Sequence, residues 1–293
     1  MTSEQFRIGI SGWTYAPWRE VFYPKGLAQK RELEYASRQL NSIEINGTFY
    51  SLQRPASFRK WYDAVPDHFV FSLKGPKFLT HMKRLKDIRL PMANFFASGP
   101  LLLGKKLGPI LWQFPPSYKF NAERLEEFLQ LLPRTSTAAS EYAHEHDMKD
   151  ESWIWTEAVA KTKLQYAFEV RNDSFMVPEF FEMLRAYNAA FVFADTAGKW
   201  PYAEDLTGDI IYIRLHGSKE LYASGYTPKE LDRWAARIKL WTRGHQPDDA
   251  VTVLDRNLKT SKKKNVYVYF DNDIKVHAPF DAINLAERLT EEA

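Results

Sequence analysis

Eight short runs rich in β-branched and aromatic residues recur along the chain, and helical segments separate most of them. Such alternation is typical of parallel strands joined by helical crossovers. An open doubly wound sheet is the alternative, but it normally has fewer strands and a Gly-rich first turn, which "ISGW" (10–13) is not. The pattern therefore predicts an α/β fold, a single closed (β/α)8 TIM-type barrel forming one domain over residues 1–293. The runs lie at 7–13, 42–46, 69–75, 109–116, 165–171, 190–198, 210–217 and 265–271.

Two segments depart from the alternation. Residues 134–163 are predicted to form a polar excursion followed by a short helix. Residues 76–100 are long for one connection, so we expect them to carry helix and loop above the barrel. The regular helices are predicted at 31–40, 55–65, 121–132, 178–188, 227–244 and 280–290.

The composition is that of a soluble globular protein, with 45% hydrophobic and 26% charged residues. The absence of cysteine excludes disulfides, a thiolate nucleophile and Cys-ligated zinc. A net charge of +3 is too small to indicate a nucleic-acid partner by itself. Neither a signal peptide nor an apolar run of about 20 residues is present, so we expect a cytoplasmic protein without a membrane partner.

Polar residues late in the predicted strands define a candidate site. Outward positions of a barrel strand are covered by helices and should be apolar. Ile43 and Ile45 are therefore predicted to face outward, and the polar residues that alternate with them are predicted to face the lumen. The carboxyl ends of barrel strands are where barrel enzymes place their chemistry. In the eighth run, Asp271 and Asn272 lie on opposite sides and the pattern does not decide between them; we include Asn272 among the candidates. The residues directed into the mouth are Glu44, Asn46, Lys74, Gln113, Glu169, Arg171, Asp195, Arg214 and His216.

Segments along essentially the whole chain share the order of a known family. They include "NSIEINGTFYSL" (41–52), "FVFSLKGPKFLTH" (69–81), "AFEVRNDSF" (167–175) and "YIRLHG" (212–217). In these motifs the chain resembles the YecE-like domain of unknown function 72, DUF72. The resemblance implies a TIM-type barrel and brings no reaction with it. The chain departs from the family in having Phe-Asp-Asn where Phe-Asn-Asn is more usual, and in a longer excursion at 134–152.

Acid–base chemistry is the first interpretation of the candidate site. Glu44 and Glu169 in a shared cavity could divide proton transfer between them, with His216 as a further acid or base. Lys74, Arg171 and Arg214 suit the anionic group of a substrate, since arginine matches phosphate and carboxylate geometry. The alternative is that these acids and bases are structural ion pairs that fill the barrel.

Further candidates lie on loops that follow the first three strands. The aromatic residues Trp13, Tyr15 and Tyr50 could stack on a sugar ring or a base, although packing beneath the loops is the alternative. His81 lies on the same face of the barrel. We therefore expect Trp13, Tyr15, Tyr50 and His81 to contact a substrate together with Asn46, Gln113, Asp195 and Asn272.

No cofactor is expected. Three cations among the acids argue against a dinuclear metal site, and a single divalent metal held by Glu169, Asp195 and His216 is the less favoured alternative. The "HEHD" string (144–147) is better explained as a solvated surface than as a metal cluster.

Three functional hypotheses follow from these candidates. The first is an enzyme, a hydrolase, lyase or isomerase, acting on a small anionic, phosphorylated or sugar-like substrate. The second is a nucleic-acid-binding protein resembling barrel repair nucleases. The third is a barrel that binds a ligand without catalysis. The sequence does not indicate an oligomeric state.

Overall fold

Eight parallel strands close into a barrel in the computed structural model, which describes residues 5–254 and 264–290. Each strand pairs with the next one along the chain, and the eighth pairs with the first. The predicted (β/α)8 barrel is therefore confirmed. The strands are β1 (Phe6–Ser11), β2 (Ser42–Ile45), β3 (Val70–Lys74), β4 (Leu107–Gln113), β5 (Tyr166–Glu169), β6 (Ala190–Asp195), β7 (Ile210–Leu215) and β8 (Asn265–Phe270).

Helices cover the outside of this barrel, and all six regular helices predicted from the sequence are confirmed. No helix in the described ranges is long and apolar enough to cross a membrane. The helices are α1 (Glu32–Gln39), α2 (Gly47–Tyr50), α3 (Pro55–Ala64), α4 (Arg89–Ala97), α5 (Ala122–Leu131), α6 (Ser136–Ala143), α7 (Pro178–Ala186), α8 (Pro228–Thr242) and α9 (His277–Thr290).

The two irregular segments differ in how well the sequence predicted them. Residues 76–100 contain a π-helix (Phe78–Met82) and α4, as expected. In 134–163 the predicted order was wrong, because the helix opens the segment. Thr135 caps it by accepting a hydrogen bond from the Ala138 amide at 3.1 Å, and the residues that follow are compatible with a helix.

The apolar residues of each strand divide between two cores. In β7, Ile211, Ile213 and Leu215 pack outward in the large core beneath the helices, which leaves Tyr212 and Arg214 for the lumen. This period-2 division is what a strand buried on both faces requires. The lower lumen is filled by Val70, Leu111, Ala167, Ala190, Val192, Ala194, Ile210, Tyr212, Tyr267 and Tyr269.

A tyrosine layer, Tyr212, Tyr267 and Tyr269, closes the lumen. The ring of Tyr212 lies 5.3 Å from that of Tyr269 and 6.4 Å from that of Tyr267. The hydroxyl of Tyr269 is 2.7 Å from the hydroxyls of both Ser42 and Ser72. The hydroxyls of Tyr212 and Tyr269 are hydrogen-bonded, to Glu44 and to the two serines, so these two tyrosines lie in the interior without an unpaired hydroxyl. The charged residues of the mouth begin directly above it.

Candidate functional site

Arg214 stands at the centre of the charged cluster and is fully buried. Its Nη1 donates to Oε2 of Glu169 at 2.7 Å, and its Nη2 donates to Oε1 of Glu44 at 2.9 Å and Oδ2 of Asp271 at 2.8 Å. One guanidinium therefore joins carboxylates carried by β2, β5 and the end of β8. Buried ions of this kind are tolerated only when they are paired and hydrogen-bonded.

Glu44 has hydrogen-bond donors on both carboxylate oxygens. Oε1 accepts from the Ser11 hydroxyl as well as from Arg214, and Oε2 accepts from the Tyr212 hydroxyl at 2.6 Å. The residue has no exposed surface. The polar side of "SIEI" thus points into the lumen as predicted, and its carboxylate is fully engaged by protein donors.

Glu169 is held as an anion. Its Oε1 accepts from Nε2 of Gln113 at 2.8 Å and from Nε of Arg171 at 2.9 Å. Burial alone would raise the pKa of Glu169, but Arg214, Arg171 and His216 outweigh burial and hold the pKa well below its usual range. A carboxylate that stays ionised at neutral pH does not suit the acid–base role expected for Glu169.

Asp271 and His216 complete the buried part of the cluster. Burial would raise the pKa of Asp271, but Arg214 and His216 together lower it to about 2. Nδ1 of His216 is 3.1 Å from Oδ2 of Asp271, and Nε2 is 3.3 Å from Nη1 of Arg214. Burial and the Arg214 charge lower the pKa of His216, against the opposing effect of Asp271. His216 therefore holds its proton less readily than a solvent-exposed histidine.

Lys74, at the end of β3, is the least engaged charge in the interior. It is 7% exposed, and its Nζ makes no hydrogen bond or ion pair within the described part of the chain. Its one ring contact there is Phe49, with Nζ 4.6 Å from the ring centroid. Burial and the neighbouring Arg214 lower the pKa of Lys74 to about 8, although the three carboxylates act in the other direction.

Arg171 follows the end of β5 by two residues, and its side chain is 14% exposed. The guanidinium is stacked on Trp200, with Cζ 3.7 Å from the ring centroid, and Nε is bound to Glu169. Nη1 and Nη2 have no hydrogen-bond partner among residues 5–254 and 264–290. Trp200 and Glu169 thus fix the position of the guanidinium, while its two terminal nitrogens remain available to bind a ligand.

His81 lies next to these cations. Its ring is 5.1 Å from that of Phe49, and its Nδ1 is 2.9 Å from the Thr80 hydroxyl. Burial and the nearby cations, Arg171 foremost, lower the pKa of His81 to about 4. Tyr50, on the other side of Phe49, is 67% exposed. The structure therefore brings His81 to the cation cluster and leaves Tyr50 on the open rim.

The loop after β1 supplies a second wall. The Tyr15 hydroxyl donates to the Ser11 carbonyl at 2.6 Å, and Oδ1 of Asn46 is a buried atom without a hydrogen-bond partner in the described part of the chain. Trp13 packs edge-on against Trp61 at 5.8 Å. Tyr15 and Asn46 therefore border the mouth, whereas Trp13 has a packing partner.

Asp273 is a functional candidate that sequence reasoning missed. Burial and the nearby Asp271 charge raise its pKa to about 6. The same two acids, with burial as the largest cause, raise the pKa of the Tyr15 hydroxyl, which places that hydroxyl beside Asp273. Asp273 lies two residues after Asp271, and this spacing was the one sequence signal for it. The pattern of the eighth run did not show which side of that strand faces the lumen, so the signal could not be used.

The placement predicted for Asp195 was wrong. In β6 it is Phe191 and Phe193 that pack outward, so Asp195 shares their side of the strand. Its carboxylate accepts from the Tyr226 hydroxyl at 3.1 Å and borders a cavity of about 430 Å³ next to α8, which Trp200 also lines. Large aromatic residues fit beneath the helices, whereas the narrow lumen takes the alanines and valine. The metal set that included Asp195 is consequently not assembled.

Asn272 also faces away from the mouth. Its Nδ2 donates to the Ser224 carbonyl at 3.0 Å and to Oδ2 of Asp281 at 2.8 Å, and both partners lie outside the lumen. Asp271 occupies the inward position because Tyr269, two residues before it, points inward and reaches the hydroxyls of Ser42 and Ser72. Asn272 is thus a correction to the predicted site, and Asp271 is the residue that sequence reasoning should have chosen.

The "HEHD" string lies on the surface. Oε1 of Glu145 is 2.5 Å from Nη2 of Arg89, and Oδ1 of Asp147 accepts from Asn94 at 2.9 Å. No group of three or more histidine or acidic side chains in the described ranges is arranged to hold a metal ion. Through these two contacts the string attaches the 134–163 segment, of which it is part, to α4.

Comparison with known proteins decides the family. A family model described as "Protein of unknown function DUF72" matches residues 7–293. The chain belongs to the DUF72 family. UPF0759 protein YunF of Bacillus subtilis (strain 168) is 25% identical over 188 residues, or 62% of this chain. UPF0759 protein YecE of Escherichia coli (strain K12) is 23% identical over 134 residues, or 40% of this chain. The chain spans about half the length of these relatives, 56% and 47% respectively.

Solved DUF72 structures have the same barrel. The crystal structure of a DUF72 protein from Thermotoga maritima MSB8 has a TM-score of 0.72 at 25% identity, covering 98% of this chain and 99% of that one. One from Enterococcus faecalis V583 has a TM-score of 0.70 at 17% identity, covering 98% and 96%. Family and fold are thus established, and the use of the mouth has to be argued from its own side chains.

Proposed function

We propose that the mouth of this DUF72 barrel is an active site that binds a small anionic molecule and carries out acid–base chemistry on it. The observation that supports this most directly is the pair of uncommitted cations, Lys74 and Arg171. Lys74 is a buried residue whose Nζ makes no hydrogen bond or ion pair in the described ranges, and the outer edge of Arg171 is open. Buried charges are normally paired, so an anionic partner is expected to come from outside the chain.

Arg214 is not part of the proposed anion contact. Both of its terminal nitrogens are occupied by carboxylates of the chain, and the residue has no exposed surface. Its role is to fix Glu44, Glu169 and Asp271 in place. Glu169 in turn binds Nε of Arg171, so the buried cluster sets the direction in which Arg171 presents its free donors.

Proton transfer is assigned to groups other than the glutamates. Lys74, with a pKa of about 8, and Asp273, with a pKa of about 6, lie on either side of neutral pH. General acids and bases work best when their pKa lies near the operating pH. Many hydrolases, lyases and isomerases use two titratable groups whose surroundings separate their pKa values in this way.

Isothermal titration of the full chain with phosphate and with sulfate tests the anion site. We expect saturable binding that weakens by roughly tenfold or more in Arg171→Ala, since a charge-assisted hydrogen bond contributes about 1.5–3 kcal/mol. Arg134 also lies over an aromatic ring, that of Tyr187 at 5.5 Å, but away from the mouth, so Arg134→Ala is the matched control. Equal affinity in Arg171→Ala, or no binding to the native chain, would overturn the proposal.

A single-stranded oligonucleotide serves as the competing ligand. In the nucleic-acid hypothesis, its affinity would fall steeply with salt, because each phosphate contact releases counterions. We expect the oligonucleotide to bind no more tightly than free phosphate, because the uncommitted cations lie inside one mouth and do not form a surface track. Tight, salt-dependent binding would replace the small-molecule assignment.

A further inference from the structure

Lys74 has the surroundings of a reactive amine. Lys74 lies at the carboxyl end of β3 with nine-tenths of the residue buried. Its ammonium lies over the Phe49 ring, without an anionic partner in hydrogen-bond range among the described residues. Structural lysines in the interior are ordinarily bound to carboxylates or carbonyls. In this chain Lys106 provides the contrast, because its buried Nζ donates to the carbonyls of Tyr62 and Val65 at 2.9 Å.

Burial and a second cation both favour the neutral amine. The Arg214 charge opposes protonation of Lys74, and desolvation acts in the same direction, so the pKa is lowered to about 8. A lysine that is desolvated beside another cation is a known form of activated nucleophile. About a tenth of such an amine is unprotonated at pH 7, against less than a thousandth for an ordinary lysine.

We propose that Lys74 Nζ forms an imine with the carbonyl carbon of an aldehyde, ketone or 2-oxo acid whose phosphate or carboxylate is bound by Arg171. The inference rests on the proposed function for the place of the anion, and it gives Lys74 a covalent role. The substrate class is therefore an anionic carbonyl compound.

The step balances without a further reactant. The nitrogen lone pair attacks the carbonyl carbon and forms the N–C bond, and the carbonyl π electrons move to oxygen. Both amine protons pass to that oxygen, the C–O bond breaks, and water leaves as the C=N bond forms. Nothing is oxidised or reduced. The imine nitrogen then takes up a proton from solvent, and in that protonated form it withdraws electrons from the neighbouring carbon, which is what lyases and isomerases of carbonyl compounds require.

The geometry also explains why the anion belongs on Arg171. The guanidinium is held flat on Trp200 and by Glu169, so its two free nitrogens point in a fixed direction. Phosphate and carboxylate match that fork with two parallel hydrogen bonds. An anion bound there would fix the orientation of the attached carbonyl group relative to Lys74, as intramolecular reactions require.

Reductive trapping tests the inference. The full chain is incubated with pyruvate or dihydroxyacetone phosphate, reduced with sodium borohydride, and digested for peptide mapping by mass spectrometry. We expect one adduct per chain on the peptide that contains Lys74, formed at a rate that saturates with substrate and rises with pH towards about 8. Acetone, which lacks the anionic group, should be trapped at least tenfold more slowly than pyruvate, and Arg171→Ala should narrow that ratio.

Two variants separate a specific adduct from general lysine chemistry. Lys74→Arg keeps the positive charge, so it should bind phosphate and lose the adduct. Lys77→Arg alters a neighbouring lysine that lies 5.0 Å from the Tyr50 ring, and it should keep the adduct. Trapping of Lys74 no faster than that of exposed lysines overturns the inference. If phosphate still binds in that case, the proposed function stands; if phosphate does not bind, the proposed function fails separately.

Discussion

Glu44 and Glu169, carried by strands on different sides of the barrel, are bound by the two terminal nitrogens of one arginine, Arg214. Asp271 shares the second of these nitrogens. Three negative charges thus share one cation that has no contact with solvent, and Glu44 has no other ion-pair partner in the described ranges, whereas Glu169 is also bound by Arg171. Removal of that cation would leave carboxylates without compensation in a medium of low dielectric constant.

Arg214→Met is therefore expected to lower the free energy of unfolding by about 3–5 kcal/mol, the cost of breaking a buried ion pair on one side. Urea unfolding followed by tryptophan fluorescence measures the change. Arg38→Ala removes an exposed partner of Glu34 and should cost less than about 1 kcal/mol. A loss as small in Arg214→Met as in the Arg38 control would contradict the central position of Arg214.

Acid stability should report the state of Asp271. Its pKa is lowered to about 2 in the folded chain, below the ordinary value of 3.8, so its ionised form stabilises the fold above pH 3.8. That stabilisation, about 2 kcal/mol, is lost as the pH falls from about 3.8 to 2. Unfolding free energies measured in urea from pH 5 downwards should therefore fall less steeply in Asp271→Asn. The same slope in both proteins would argue against an ionised Asp271.

Trp200 is expected to act on anion affinity through Arg171. Trp200→Ala removes the ring on which the guanidinium is stacked, so Arg171 loses its fixed direction without losing its charge. A stacked cation contributes about 0.5–2 kcal/mol, which corresponds to a phosphate affinity lower by roughly 2- to 30-fold in calorimetry. Tyr187→Ala, which removes the ring beneath Arg134, should leave phosphate affinity unchanged. An unaltered phosphate affinity in Trp200→Ala would show that stacking on Trp200 does not contribute to anion binding by Arg171.

The barrel could be predicted from the sequence because two periodicities are visible in it. Runs such as "SIEI" alternate with a period of two, and the isoleucines identify the outward side without ambiguity. The same rule placed Glu44, Glu169 and Arg214 together in the lumen. One apolar side per strand was enough to infer that these charges converge.

The two wrong side-chain placements, of Asp195 and Asn272, arose in strands whose two sides do not differ clearly in polarity. In "AFVFAD" the pattern does not say whether the phenylalanines or the alanines face the helices, and the width of the lumen decides it. In "NVYVYFDN" the inward side is set by Ser42 and Ser72, which are distant in the sequence. The pKa of Asp273 depends in turn on Asp271 and on burial, so no local pattern could have identified it.

The tyrosine layer and the side chains packed with it fill the lumen below the charged cluster, so the mouth is a pocket with a packed floor. Among the described residues the lumen beneath the mouth is filled by side chains, so a molecule that binds at Lys74 enters between the loops that follow the strands. Those loops therefore select which molecules reach the amine, while the strands beneath them hold the charged side chains in place.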